Sequence, residues 1–356
     1  MTESCQLTAG TCSAESGCGM DPAAVCPLLR RDHLAHHVGD HFALSSSRAS
    51  SPVGGESVRV RATTDAGFSS SSPRPHGPSR PIRIRHDAAA IGAALSERDW
   101  AVLRSVDEYR FLTVRQLHDL HFHELSPSSG LRITQRALAR LRQWRVLGTL
   151  ERRIGGLRAG SSGLVHYVDV IGDKLLRTES GRTARRRYTT PSRTFLDHTL
   201  AVAESRITLL TAQLHGTLEV LRADVETAAW RTYQGLGGAL LTLRPDLYLE
   251  TAGSVGGEFV STWFLERDMG SESIPTLIKK SREYENYRST GVEQEQSGGS
   301  FPLIVWCMTA ARAITAEQRR SELRERIERD RRLPPELFRI ISPEQLIELI
   351  QKGGDL

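Results

Sequence analysis

Residues 131–144 read LRITQRALARLRQW. Ile133, Ala137, Leu138, Leu141 and Trp144 recur at helical spacing and predict one apolar stripe. Arg132, Gln135, Arg136, Arg140, Arg142 and Gln143 fall on the other face. Gly148 is expected to stop this helix. Upstream, Ser96 is the expected cap of an earlier helix, with Asp99 in its first turn and Trp100, Leu103, Val106 and Tyr109 on its inner side. Thr113 opens a short second helix through Val114, Leu117 and Leu120. Downstream, 150–154 and 164–170 predict two strands around a glycine-rich tip that carries Arg158.

Three helices followed by a β-hairpin is the order of a winged helix-turn-helix. In that arrangement the third helix offers Arg132, Gln135, Arg136 and Arg140 to a major groove. Arg152, Arg153 and Arg158 of the wing would lie along phosphates. An arginine-rich solvated helix in an ordinary bundle is the alternative. Charge favours the first reading. Residues 86–190 hold 18 basic and 11 acidic side chains, whereas 191–356 hold 20 and 24. A basic module beside an acidic one suits a DNA-binding domain joined to a second function.

That second function begins after a basic linker over 181–194. The spacing predicts a helix over 195–214, then strands over 218–223, 240–249 and 258–266. A helix over 274–287, a strand over 301–308, a charged helix over 316–331, a strand over 337–341 and a last helix follow. This alternation predicts an α/β layer fold with a mixed sheet. Asp246 follows Pro245 on a strand, and Glu266 and Asp268, one residue apart, point the same way at a strand end. Lys280 lies on the next helix, with Tyr284 and Tyr287 at i+4 and i+7. Carboxylates gathered at a sheet end suit Mg²⁺, which prefers hard oxygen ligands. A neighbouring lysine could orient a water or steady a phosphate under attack.

This pattern resembles the PD-(D/E)xK, restriction-endonuclease-like superfamily. More narrowly, Arg244-Pro245-Asp246, the run from Phe264 to Gly270 and the segment from Lys280 to Tyr284 resemble the replication-relaxation family of plasmids and integrative elements. His198 matches a histidine that this family carries at the start of the corresponding helix. The resemblance spans about residues 92–345. It implies a winged helix followed by a nuclease-like half, with double-stranded DNA as partner. Other replication or transfer proteins of the element and a second copy of the chain are further candidate partners. The resemblance implies Asp246, Glu266 and Asp268 as ligands for Mg²⁺ or Mn²⁺, and Lys280 as the assisting amine. His198, Glu204 and Tyr284 are additional candidates. The superfamily places its lysine two positions after the strand acid. Here Asp268 stands there, and Lys280 would serve from the neighbouring helix.

Two functions therefore compete: a Mg²⁺-dependent DNA nicking or cleaving enzyme, and a catalytically silent binder that acts as an accessory factor or regulator. The fold expectation is multidomain α+β or α/β, with a tail over 1–87, a winged helix over 88–180 and a nuclease-like domain over 195–353. The tail is rich in Ser and Pro and has no sustained period, which predicts disorder. Its Cys5, Cys12, Cys18 and Cys26 lack the C-x2–4-C pairs of structural zinc sites. No apolar run is long enough to span a bilayer, and the N-terminus lacks the pattern of a secretory signal, so a cytoplasmic protein is expected.

Overall fold

Capping chemistry sets where the N-terminal helices begin. The computed structural model describes residues 28–30, 87–126, 128–153, 163–185 and 188–355. The expected tail therefore lies outside the described residues, apart from a short strand, β1 (Leu28–Arg30), and Asp87. The carboxylate of Asp87 accepts the Ala89 N–H and opens α1 (Ala88–Ala94). Ser96 and Asp99 cap each other's backbone at the start of α2 (Glu97–Tyr109). After β2 (Leu112–Thr113), Thr113 and Gln116 repeat that exchange at the start of α3 (Val114–His121).

The next helix, α4 (Gly130–Gln143), is rotated from the expected stripe. Gly130, Thr134, Leu138 and Leu141 are buried, whereas Ile133 faces solvent. Thr134 tolerates the interior because its hydroxyl donates to the Gly130 carbonyl at 3.0 Å. The helix ends at Gln143, within a residue of the expected Trp144, but Gly148 is not what stops it. Arg145 takes a positive φ of 57° and turns the chain into β3 (Leu147–Arg153). Gly148 lies inside that strand, where a Cβ would collide with the Tyr167 ring. Its partner β4 (Leu164–Val168) ends before the expected Val170, because Asp169 caps α5 (Val170–Ser180). Ile171, Leu175 and Leu176 of α5 join the core of the first module. β2, β4 and β3 form an antiparallel three-stranded sheet. Arg158, expected in the glycine-rich tip, lies outside the described residues. Of Arg152 and Arg153 only the strand backbone is described.

Ser192 caps the long helix α6 (Arg193–Leu214), which is apolar on more than one side. Ala203 and Ile207 enter the core of the first module, and Leu209 and Ala212 enter the core of the second. Leu196 and Leu200 form a third cluster with Phe111, Leu150 and Val165 of the first module. One helix is thus shared by both halves.

The second half is a mixed sheet with helices on both faces. Its elements are β5 (Glu219–Val225), β6 (Arg231–Gln234), β7 (Leu240–Leu243), β8 (Leu247–Ala252), β9 (Phe259–Asp268), α7 (Ile274–Arg288), α8 (Val292–Gln296), β10 (Leu303–Met308), α9 (Ala313–Arg329), β11 (Phe338–Ile341) and α10 (Leu346–Gln351). The strand order is β11-β10-β9-β8-β5, and β1 pairs with the start of β9. β9, β10 and β11 run parallel, whereas β5, β8 and β9 alternate. Every residue of β10 is buried, as a parallel strand covered on both faces requires. Phe264, Ile304 and Trp306 face α7 and α9; Leu265, Val305 and Cys307 face α6 and α10. The single strand expected over 240–249 is two elements. Pro245 has no N–H to give a ladder, and the chain leaves the β6–β7 hairpin there to enter the main sheet. Among the described residues no helix is long and apolar enough to cross a membrane.

Asp99 is 3% exposed and serves two helices, because Arg140 of α4 reaches both of its oxygens at 2.6–2.7 Å. Asp99→Ala should cost about 2–3 kcal/mol, the sum of a lost cap and a lost charge-assisted bond. Glu97→Ala, in the same turn but exposed, should cost less than about 1 kcal/mol. Thermal or urea unfolding measures both; equal effects would sink the assignment.

Candidate functional site

The acids named from the sequence sit where the antiparallel and parallel parts of the sheet meet. Pro245 delivers Asp246 to the start of β8, opposite the end of β9. Asp246 Oδ2 accepts the Arg267 N–H at 2.8 Å, and Oδ1 lies 3.1 Å from His198 Nε2 on α6. The alternation of β9 turns Glu266 towards α7. There Lys280 Nζ meets Glu266 Oε2 at 2.5 Å, and the Tyr284 hydroxyl donates to Oε1. Lys280 and Tyr284 are one turn apart on α7, so one helix face supplies both donors.

The structure brings together Asp246, Glu266, Lys280, His198 and Tyr284. It does not bring Asp268 to them. Asp268 Oδ2 takes two bonds from the Arg319 guanidinium of α9, at 2.8 and 3.2 Å, and Oδ1 accepts the Gly270 N–H. The strand-end acid pair therefore divides between two helices, and Asp268 ties β9 to α9. Glu204 turns to α3 and accepts from Gln116 at 2.9 Å. Neither Arg319 nor the Arg267 amide was among the sequence candidates. Arg319 lies far along the chain in a helix whose charges read as solvated, and a backbone amide leaves no trace in composition.

Electrostatics follows from depth. Burial would raise the Asp246 carboxyl, but His198, Lys280 and the Arg267 amide together hold it below its usual range. The bond to Asp246 raises His198 against the opposing effect of burial. Burial pushes Glu266 up to about 8, with Lys280 resisting and Asp246 assisting. Burial would lower the Lys280 ammonium, yet Glu266 and Asp246 raise it, so Lys280 stays charged. The side chains of His198 and Lys280 are 37% and 29% exposed, against 16% for Asp246 and 2% for Glu266. The basic side chains of His198 and Lys280 thus lie nearer the surface, with the carboxyl groups behind them.

A Mg²⁺ ion would need several open oxygen ligands on one point. Both oxygens of Asp246, Glu266 and Asp268 already have donors, and Asp268 faces elsewhere. Among the described residues no three His, Cys, Asp or Glu side chains are grouped to hold a metal ion. Of the three expected ligands, Asp246 and Glu266 share the cluster, and Asp268 stands apart from them on Arg319.

On the first module, Arg132 and Arg136 lie one turn apart on the exposed side of α4, with Ile133 and Gln143. Neither arginine has an acidic partner among the described residues, and Gln135 is half-buried. Arg140, expected on the same surface, is committed to Asp99 and stacks over Trp144.

The family model described as replication-relaxation matches residues 103–304, more than half of the chain, and the chain belongs to that family. The match runs from α2 to the start of β10 and includes every member of the cluster. No curated protein and no solved structure matches the chain.

The raised Glu266 gives a signed prediction. Between about pH 5 and pH 8 the native protein keeps a proton that the unfolded chain releases, so stability falls as pH rises. His198, also raised, acts in the same sense: its contribution is full below the unfolded imidazole value and is lost as pH rises through the raised one. Asp246, depressed, contributes above its unfolded value and loses that only as pH falls through the native one. The melting temperature should decline across this window, and Glu266→Gln should flatten the decline. A parent protein that gains stability from about pH 5 to 8 contradicts the cluster electrostatics.

Proposed function

We propose that the chain is a DNA-binding protein acting in replication of a plasmid or integrative element, with a winged helix that reads duplex DNA through α4. The observation that carries this is the pair Arg132 and Arg136. Elsewhere in the described residues arginines are mostly matched with acids, as Arg206 is with Glu108 and Arg319 with Asp268. These two remain exposed on one helix face without an acidic partner among the described residues. A helix of this width fits a major groove, where guanidinium groups meet guanine edges or phosphates. Ile133 beside them could contact a thymine methyl. The wing arginines Arg152, Arg153 and Arg158 would add phosphate contacts.

In this reading the second half is a restriction-endonuclease-like layer whose cluster serves as an anion site. His198 and Lys280 would face a backbone phosphate, while Asp246 and Glu266 orient them from behind. A second reading, a metal-dependent nuclease, draws support from one observation. Asp246 after Pro245, Glu266 and Lys280 share a single cluster, although the lysine comes from α7.

Arg132→Ala with Arg136→Ala should weaken duplex binding by about 1–3 kcal/mol for each residue that reads a base, and should flatten the salt dependence if phosphates are lost. Anisotropy titrations at several salt concentrations measure this; parental binding at every salt would refute the groove assignment. For the cluster, melting with Mn²⁺ or EDTA is paired with a supercoiled-plasmid nicking assay. The anion-site reading expects no metal-dependent shift and no nicking. Nicking abolished by Asp246→Asn would establish the second reading instead.

A further inference from the structure

Between α6 and the cluster the chain makes the β6–β7 hairpin, which stands apart from the main sheet. Its inner side is anchored. Tyr233 and Leu243 are buried, and Tyr233 packs on Tyr287 with ring centroids 4.9 Å apart. Arg231 donates to Glu293 at 2.9 Å and lies over the Tyr248 ring, so its charge is spent inside.

The outer side is unpartnered. Thr232, Gln234, Leu240 and Thr242 are exposed, and Leu240 is 74% exposed. The two threonine hydroxyls meet across the strands at 3.4 Å, which confirms that they share one face. At the base of this face the Arg244 guanidinium stacks over the Trp230 ring, 4.7 Å from its centroid. Arg244 is exposed and has no acidic partner among the described residues. No Asp or Glu occurs from residue 227 to residue 245. Two residues after Arg244 stands Asp246, so the face leads to the cluster.

We propose that this outer hairpin face, from the Trp230–Arg244 pair to Leu240, is a binding platform for a single strand of DNA. The chemistry fits that ligand. An indole stiffened by a stacked guanidinium accepts a base on its free side, the free charge meets phosphate, and hydroxyls and an amide serve sugar and base edges. The acid-free run complements a polyanion. The face alternates threonine, glutamine and leucine, so an apolar partner would find no continuous surface on it. The proposal deepens the DNA reading above: α4 holds duplex, and the hairpin holds a strand separated from it close to His198 and Lys280.

The test measures anisotropy of a labelled single-stranded oligonucleotide and of the duplex of the same sequence with the full chain. Trp230→Ala should weaken single-strand binding about tenfold. Thr242→Glu, which adds a negative charge at an exposed position, should weaken it as well, and melting curves check that it stays folded. Both should leave duplex binding within about twofold, while the Arg132, Arg136 double variant shows the reverse pattern. Single-strand binding unchanged in both hairpin variants, or absent in the parent, overturns the platform whatever the duplex does. Equal loss on both ligands overturns it too. Loss of the duplex arm alone in the parent would refute the α4 reading and leave the single-strand arm to judge the hairpin.

Discussion

The structure depends on the burial of α6. A helix that packs on one side carries one apolar stripe; this helix carries apolar residues on more than one side because three clusters share it. Polar contacts fix its rotation. Gln116 of α3 donates to the Leu200 carbonyl and to Glu204. Arg206 pairs with Glu108 and lies over the Tyr109 ring at 5.0 Å. His198 stands less than a turn before Leu200, so the contacts that seat the first module also place the imidazole against Asp246. The halves are therefore joined through packed side chains, with an added surface pair between Arg110 and Glu226.

That arrangement gives the cluster its character. Two carboxyl groups are taken into the interior, and each is met by a basic side chain from a different helix: His198 from α6 and Lys280 from α7. Removing one partner leaves a buried polar group without its hydrogen bond, which costs more than the bond contributes. The acids are held as partners of basic side chains that remain partly exposed. Exposed basic groups recur on α4 and at the base of the hairpin.

Much of this was legible in the sequence because local rules governed it. Ser96 and Thr113 start helices by capping, and both act within three residues. The apolar run before Met308 is a parallel strand buried on both faces. Pro245-Asp246, Glu266 and Lys280 converge as their spacing suggested. What was illegible depends on tertiary partners. Ile133 and Thr134 exchange sides because a threonine can satisfy its hydroxyl on its own helix. Asp268 leaves its neighbour for Arg319, and Arg140 leaves the outer face for Asp99, and no spacing rule encodes either choice. The run over 240–249 alternates as one strand would, and only the missing N–H of Pro245 marks where it changes partners.

The central claim is that the exposed face of α4 enters a DNA groove. Hydroxyl-radical footprinting of the full chain, read by mass spectrometry with and without duplex DNA, tests it on a single residue. Ile133 is 39% exposed on that face, and Ile314 of α9, at 65%, supplies the reference. The account predicts that DNA protects Ile133 while Ile314 stays reactive. Ile133 oxidised equally with and without saturating DNA would contradict it.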